Sequence, residues 1–112
     1  MTVIKFFSTD RGIIGFSAKG HTGFAYHGED IVCSAVSALT QTAVIGFREV
    51  LKLDISIKIK NGYLKCELPN IESKELWKQC QLIMNVLYSG LQAVLKEYGE
   101  EYLRIEEVEL CK

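Results

Sequence analysis

Leu53, Ile55, Ile57 and Ile59 alternate strictly with Asp54, Ser56, Lys58 and Lys60, and after Asn61-Gly62 a second run, Tyr63 to Leu68, sets Leu64, Cys66 and Leu68 on one face. A period of two joined by Asn-Gly specifies a β-hairpin with one buried and one wet face, because a one-residue slip would turn every apolar side chain toward water. Such a face needs a covering layer, and the rest of the chain must supply it. From Ile31 onward Val32, Ala35, Val36, Leu39, Ala43, Gly46, Phe47 and Val50 recur at helical spacing, with Arg48 and Glu49 the only charges between Ile31 and Leu51. A helix this apolar is expected to be buried over most of its surface, either between the sheet and a second helix or against a second subunit. Asp30 is its predicted N-cap, with Glu29 adding negative charge at the positive dipole end and Arg48 and Lys52 suiting the other end.

A second helix follows Pro69-Asn70, with Leu76, Cys80, Ile83, Met84, Leu87, Leu91, Val94, Leu95 and Tyr98 on one stripe and a stop at Gly99. Near the N-terminus Val3-Ile-Lys-Phe-Phe7 and the alternating Ile14, Phe16 and Ala18 flank an Asp10-Arg-Gly12 turn, which predicts another hairpin. Between that hairpin and the first helix, Gly20-His-Thr-Gly-Phe-Ala-Tyr-His-Gly28 has three glycines and no sustained period, and is expected to be a loop. Leu103 and Ile105 open a last strand, whereas Val108 and Leu110 are out of phase, so a bulge is expected at Glu106-Glu107. The order ββαββαβ predicts one α+β domain over residues 1–112, with two helices packed on one face of a mostly antiparallel five-stranded sheet.

Composition limits what this domain can do. A chain of 112 residues, with typical domains at roughly 100–150, leaves no room for a second one, and 48% apolar residues exclude a disordered chain. Thirteen basic against fourteen acidic residues give a net charge of −1, so no direct nucleic-acid binding is expected from the overall field. The N-terminus has neither a basic leader nor a small-residue cleavage site, and no continuous apolar run approaches the roughly 20 residues of a membrane span, so a cytoplasmic, membrane-free protein is expected. Cys33, Cys66, Cys80 and Cys111 are scattered without a Cys-x-x-Cys pair, which indicates neither a disulfide framework nor a zinc site.

Each cysteine is then a small buried hydrophobe or a reactive thiol, and its setting decides which. With Asp30 as the cap, Cys33 falls at about the third helical position, where amide donors and the helix dipole favour a thiolate. The chain's two histidines, His21 and His27, both lie in the glycine-rich segment leading into this helix. A histidine beside a helix-start cysteine is the minimal machinery for nucleophilic catalysis, with first-turn amides placed to stabilise the oxyanion. The plainer possibility is that Cys33 in its Ile-Val-Cys-Ser-Ala-Val run is a core residue. Cys66 on a strand's inward face, Cys80 on an apolar stripe and Cys111 at the tail have no such setting.

Gly20-His21, a short glycine-containing loop and Gly28-Glu-Asp-Ile-Val-Cys-Ser-Ala-Val-Ser37 resemble the signature of the ribosomal-processing cysteine proteases, the Prp family. Length and element order are similar throughout, whereas the specific motif is confined to Gly20 through Ser37. The resemblance implies that Cys33 is the nucleophile and His21 its base, on a dimeric α+β fold. It further implies that the substrate is a ribosomal protein precursor, the twenty-seventh of the large subunit, which loses an N-terminal extension during ribosome assembly. Ser34 and Thr22 stand where alanine is common in the family; both are small changes that leave the dyad intact. Asp30 either caps the helix or orients His21, Ser37 either bonds the thiol or packs the helix, and Gly20, Gly23 and Gly28 would let the loop admit an extended peptide. No metal or cofactor is required. The rival reading is a non-enzymatic ribosome-associated or dimeric interaction module with a structural Cys33.

Overall fold

The computed structural model describes residues 1–20 and 27–110, with the backbone alone described for residues 27–30. Its elements run β1 (Thr2–Thr9), β2 (Gly12–Lys19), α1 (His27–Ile45) continued by a π-helical turn (Gly46–Val50), β3 (Ser56–Lys60), β4 (Tyr63–Glu67), α2 (Lys74–Tyr98) and β5 (Leu103–Glu109). One five-stranded sheet has the order β3-β4-β2-β1-β5, antiparallel except where β5 pairs in parallel with β1. The predicted ββαββαβ order and mostly antiparallel sheet are therefore observed.

Register sorts the side chains onto two faces. Ile105, Ile4, Ala18, Leu64 and Ile59 form one row across the strands toward the helices, and Phe6, Phe16, Cys66 and Ile57 form the next. Buried helix residues cover them: Val32, Val36, Val44 and Phe47 from α1 and its extension, and Cys80, Met84, Leu87 and Leu91 from α2. α2 starts at Ser73, whose Oγ accepts from the Leu76 amide at 3.1 Å and satisfies a first-turn donor. The Gln81 side-chain amide clips the same helix to β2, accepting from the Ile13 amide at 2.9 Å and donating to the Ile13 carbonyl at 2.8 Å. At Gly46 the two helices come close, since a Cβ there would lie 3.2 Å from Ile83 Cδ1.

Four expectations need correcting. β5 pairs with β1 residue by residue from Thr2↔Leu103 to Ser8↔Glu109, so there is no bulge at Glu106-Glu107; Val108 simply faces away from the helices beside Phe7. The bulge lies instead in the β1–β2 pair, between Phe7 and Ser8. α1 begins at His27, not after Asp30, so His27 and Gly28 belong to the helix rather than to a loop. The backbone of Glu29 and Asp30 then falls inside the first turn rather than before it. α1 is not buried over most of its surface: Ser34, Ser37, Ala38, Gln41 and Thr42 are exposed, and the apolar count overstated its core face because small residues tolerate either environment. Finally, Ile31–Val50 is long and apolar enough to cross a membrane by length and composition; in this fold its Val32, Val36 and Phe47 edge is taken up by the core.

Candidate active site

Cys33 is half-buried on α1, at the head of a groove of about 600 Å³. The helix forms one wall through Cys33, Ser37, Gln41, Ile45 and Arg48, residues three or four apart and so stacked along one stripe. Opposite lie Ala18, Ile57, Ile59 and Leu64, helix-side residues of the sheet. This end of the apolar face has no full cover: Ile59, although it shares a row with the fully buried Ile4, is 72% exposed. An open apolar trough with a thiol at one end and a guanidinium at the other results.

Three strand ends converge on the thiol. Thr2 Oγ1 lies 3.7 Å from Cys33 Sγ, and Thr2 is buried at the start of β1, its amide donating to the Tyr102 carbonyl at 2.9 Å. Gly20, just past β2, donates its amide to the Gly62 carbonyl in the β3–β4 turn at 3.0 Å. A Cβ at Gly20 would come within 2.6 Å of Thr2 Oγ1 and 3.0 Å of Thr2 Cα, so only glycine lets these ends close up. Thr2 was missed in the sequence. Its signal was a hydroxyl in phase with the inward-facing Ile4 and Phe6, a polar residue in a position that asks for an apolar one.

The other candidate residues separate as follows. His21 and Gly23 lie outside the described residues, as does Cys111. Ser37 lines the groove one turn from Cys33, but its Oγ accepts from Gln41 Nε2 at 2.7 Å. The backbone of Asp30 sits in the first helical turn, and Gly28 precedes it there. This placement also corrects the oxyanion assignment. Cys33 is the seventh residue of α1, about 9 Å along the axis from its start, so the free first-turn amides are not beside the thiol. The other described thiols are sealed in the core: burial pushes Cys66 up to about 12, with the Glu67 carboxylate adding to it and Arg48 opposing, and burial also raises Cys80. Among the described residues no three His, Cys, Asp or Glu gather as a metal would need.

The model of the cysteine protease Prp family matches residues 1–103. The ribosomal processing cysteine protease Prp of Bacillus subtilis (strain 168) is 32% identical over 99 residues, 83% of this chain and 85% of that protein. Among solved structures, SMU.848 from Streptococcus mutans superposes with a TM-score of 0.83 at 22% identity, over 98% of this chain and 96% of that one. The essential ribosomal processing protease Prp from S. aureus, solved in complex with a substrate peptide, gives 0.81 at 21% identity over 96% and 99%. By the match over nearly its whole length and by its relative in Bacillus, the chain belongs to the Prp family of cysteine proteases.

Proposed function

We propose that this chain is the endopeptidase that removes the N-terminal extension of a large-subunit ribosomal protein, the twenty-seventh, with Cys33 as nucleophile and His21 as base. The observation that carries the reading is the half-exposed Cys33 thiol at the head of an open groove, in a chain whose other described thiols are fully buried. A structural Cys33 in a non-enzymatic module would suit a sealed site like those of Cys66 and Cys80. Groove dimensions favour an extended peptide: the lining stripe from Cys33 to Arg48 covers about 22 Å of helix. Its apolar sheet wall suits apolar side chains of the substrate near the scissile bond.

In this mechanism His21 takes the thiol proton, Sγ adds to the scissile carbonyl carbon, and the tetrahedral adduct collapses to a thioester as His21 passes the proton to the leaving amine. Water, deprotonated by the same imidazole, then adds to the thioester carbonyl and expels the thiol. The described hydroxyl of Thr2 is placed to hold Sγ in position. The reading also keeps the chain in the cytoplasm, where free thiols persist, and makes it a homodimer.

Incubation with a peptide spanning the uncleaved extension tests the assignment. Wild type is expected to cut one bond and to accumulate an acyl-enzyme on Cys33, and both Cys33→Ala and His21→Ala to lose turnover. Cleavage of the same bond by Cys33→Ala would overturn it.

A further inference from the structure

Among the described residues no element covers the face of the sheet turned away from the helices, and register places three rows of side chains on it. Arg104, Val3, Lys19, Tyr63 and Lys60 form one row, Glu106, Lys5, Ser17, Lys65 and Lys58 the next, and Val108, Phe7, Gly15, Glu67 and Ser56 the third. Contacts confirm the sidedness. Lys65 Nζ lies 3.8 Å from Glu67 and 4.9 Å from the Phe7 ring, reaching across the small Ser17 and Gly15 of the intervening strand, and Arg104 pairs with Glu106 at 3.8 Å. This face therefore holds six basic residues against two acidic ones, both of which are already paired. Lys5, Lys19, Lys58 and Lys60 are exposed and have no carboxylate within ion-pair distance among the described residues.

We infer that this open sheet face binds single-stranded RNA through its phosphates. The net charge of −1 averages a basic face with an acidic remainder, and a polyanion responds to the local field rather than to the sum. The cations are spread over five strands about 4.8 Å apart, roughly 20 Å in all, with rows about 7 Å apart, a planar array that suits a chain of phosphates better than a single carboxylate. Two aromatic residues, Phe7 on β1 in the third row and Tyr63 on β4 in the first, stand among the cations with β2 between their strands, and sheet-based RNA modules likewise combine cations for phosphate contact with aromatic rings for base stacking. No apolar residue of the three rows forms a knob that would insert into a bilayer. RNA held here leaves the groove on the opposite face unobstructed, and the inference does not require that the groove cleave anything.

Fluorescence anisotropy with a 5′-fluorescein-labelled, mixed-sequence 16-nucleotide RNA at 25 to 200 mM KCl tests it. Wild type is expected to bind, with log Kd rising linearly with log salt. Lys5→Gln/Lys19→Gln/Lys58→Gln is expected to bind at least tenfold more weakly at 25 mM salt, with the slope reduced by about 2, from three lost contacts at about 0.7 each. Should the triple variant fail to fold, Lys58→Gln alone, exposed on the edge strand, is expected to reduce the slope by about 0.7. Absence of binding by wild type at 25 mM salt, or unchanged affinity and slope in a folded variant, would sink the inference. So would polyglutamate of the same length binding as tightly as RNA with the same dependence on these lysines, which would assign the face to an acidic protein.

Discussion

A hydroxyl that the sequence does not mark, and a glycine that its motif does, set the environment of the Cys33 thiol. Thr2 contacts Cys33 through an atom that Gly20 leaves room for, so the three residues behave as one packed unit. Thr2→Val keeps the shape and removes the hydroxyl; turnover is expected to fall about tenfold, a loss of the size of one hydrogen bond to a charged sulfur, with KM little changed. Thr2→Ser should restore most of it, whereas a purely structural role would make Ser the worse substitute because it leaves a methyl-sized gap. Steady-state kinetics on the two variants decide. Cys66 supports a different prediction. Its thiol ionises at about 12 in the folded protein against 9.0 in the free side chain, so folded and unfolded forms are both neutral below pH 9. Between pH 9 and about 12 only the unfolded thiol gives up its proton, which favours unfolding, and stability falls through that window. Denaturant midpoints at pH 8.5, 10 and 11 should decline less steeply in Cys66→Val than in wild type. Sequence reading singled out Cys33 for its setting but not its neighbour, because Thr2 reaches it through a fold contact 31 residues away.

At the scale of elements, the parts written in strong period were legible and the parts written at boundaries were not. The Asn61-Gly62 hairpin has the predicted register, since its alternation and its turn specify the same pairing, with Gly62 at φ 75 as the turn demands. β5 was misread because phase was judged against a single buried face. An edge strand can place Val108 beside Phe7 on the open face without a bulge. The start of α1 was placed a turn late, since Asp30 is a good cap by type and the glycine before it looks like a breaker, although Gly costs a helix only about 1 kcal/mol and three further residues extend it. That one-turn difference moves Cys33 from the free amides into the hydrogen-bonded ladder. Ser73 was overlooked for the opposite reason, as its stretch of Glu, Ser and Lys carries no apolar period. Ser73→Ala is expected to lower stability by about 1 kcal/mol, read from chemical denaturation, while Ser73→Asp should hold it.

For the whole molecule, two stretches of open apolar surface among the described residues stand out. One is the groove. The other is the outer side of α2, where Leu82 and Val86 stand one turn apart, each 65% exposed. A homodimer of the kind the family resemblance implies would cover such a pair, and Leu82→Lys/Val86→Lys is expected to shift the protein to monomer in sedimentation velocity. The unfolding midpoint of the monomer should be unchanged, because the wild-type side chains contribute little to its core. Neither the groove nor the charge separation between the two sheet faces can be read from composition, since both arise when strands far apart in sequence are placed in register.

The parallel pairing of β5 with β1 has a consequence in time. Thr2 is held by the Tyr102 carbonyl, and β5 begins one residue later, so the wall of the thiol site is completed only when segments a hundred residues apart have met. During synthesis the Cys33 segment leaves the ribosome long before the strand that fixes its surroundings. A growing chain short of Leu103 therefore exposes a cysteine whose surroundings are not yet assembled, and the site takes its final shape only when β5 has paired with β1.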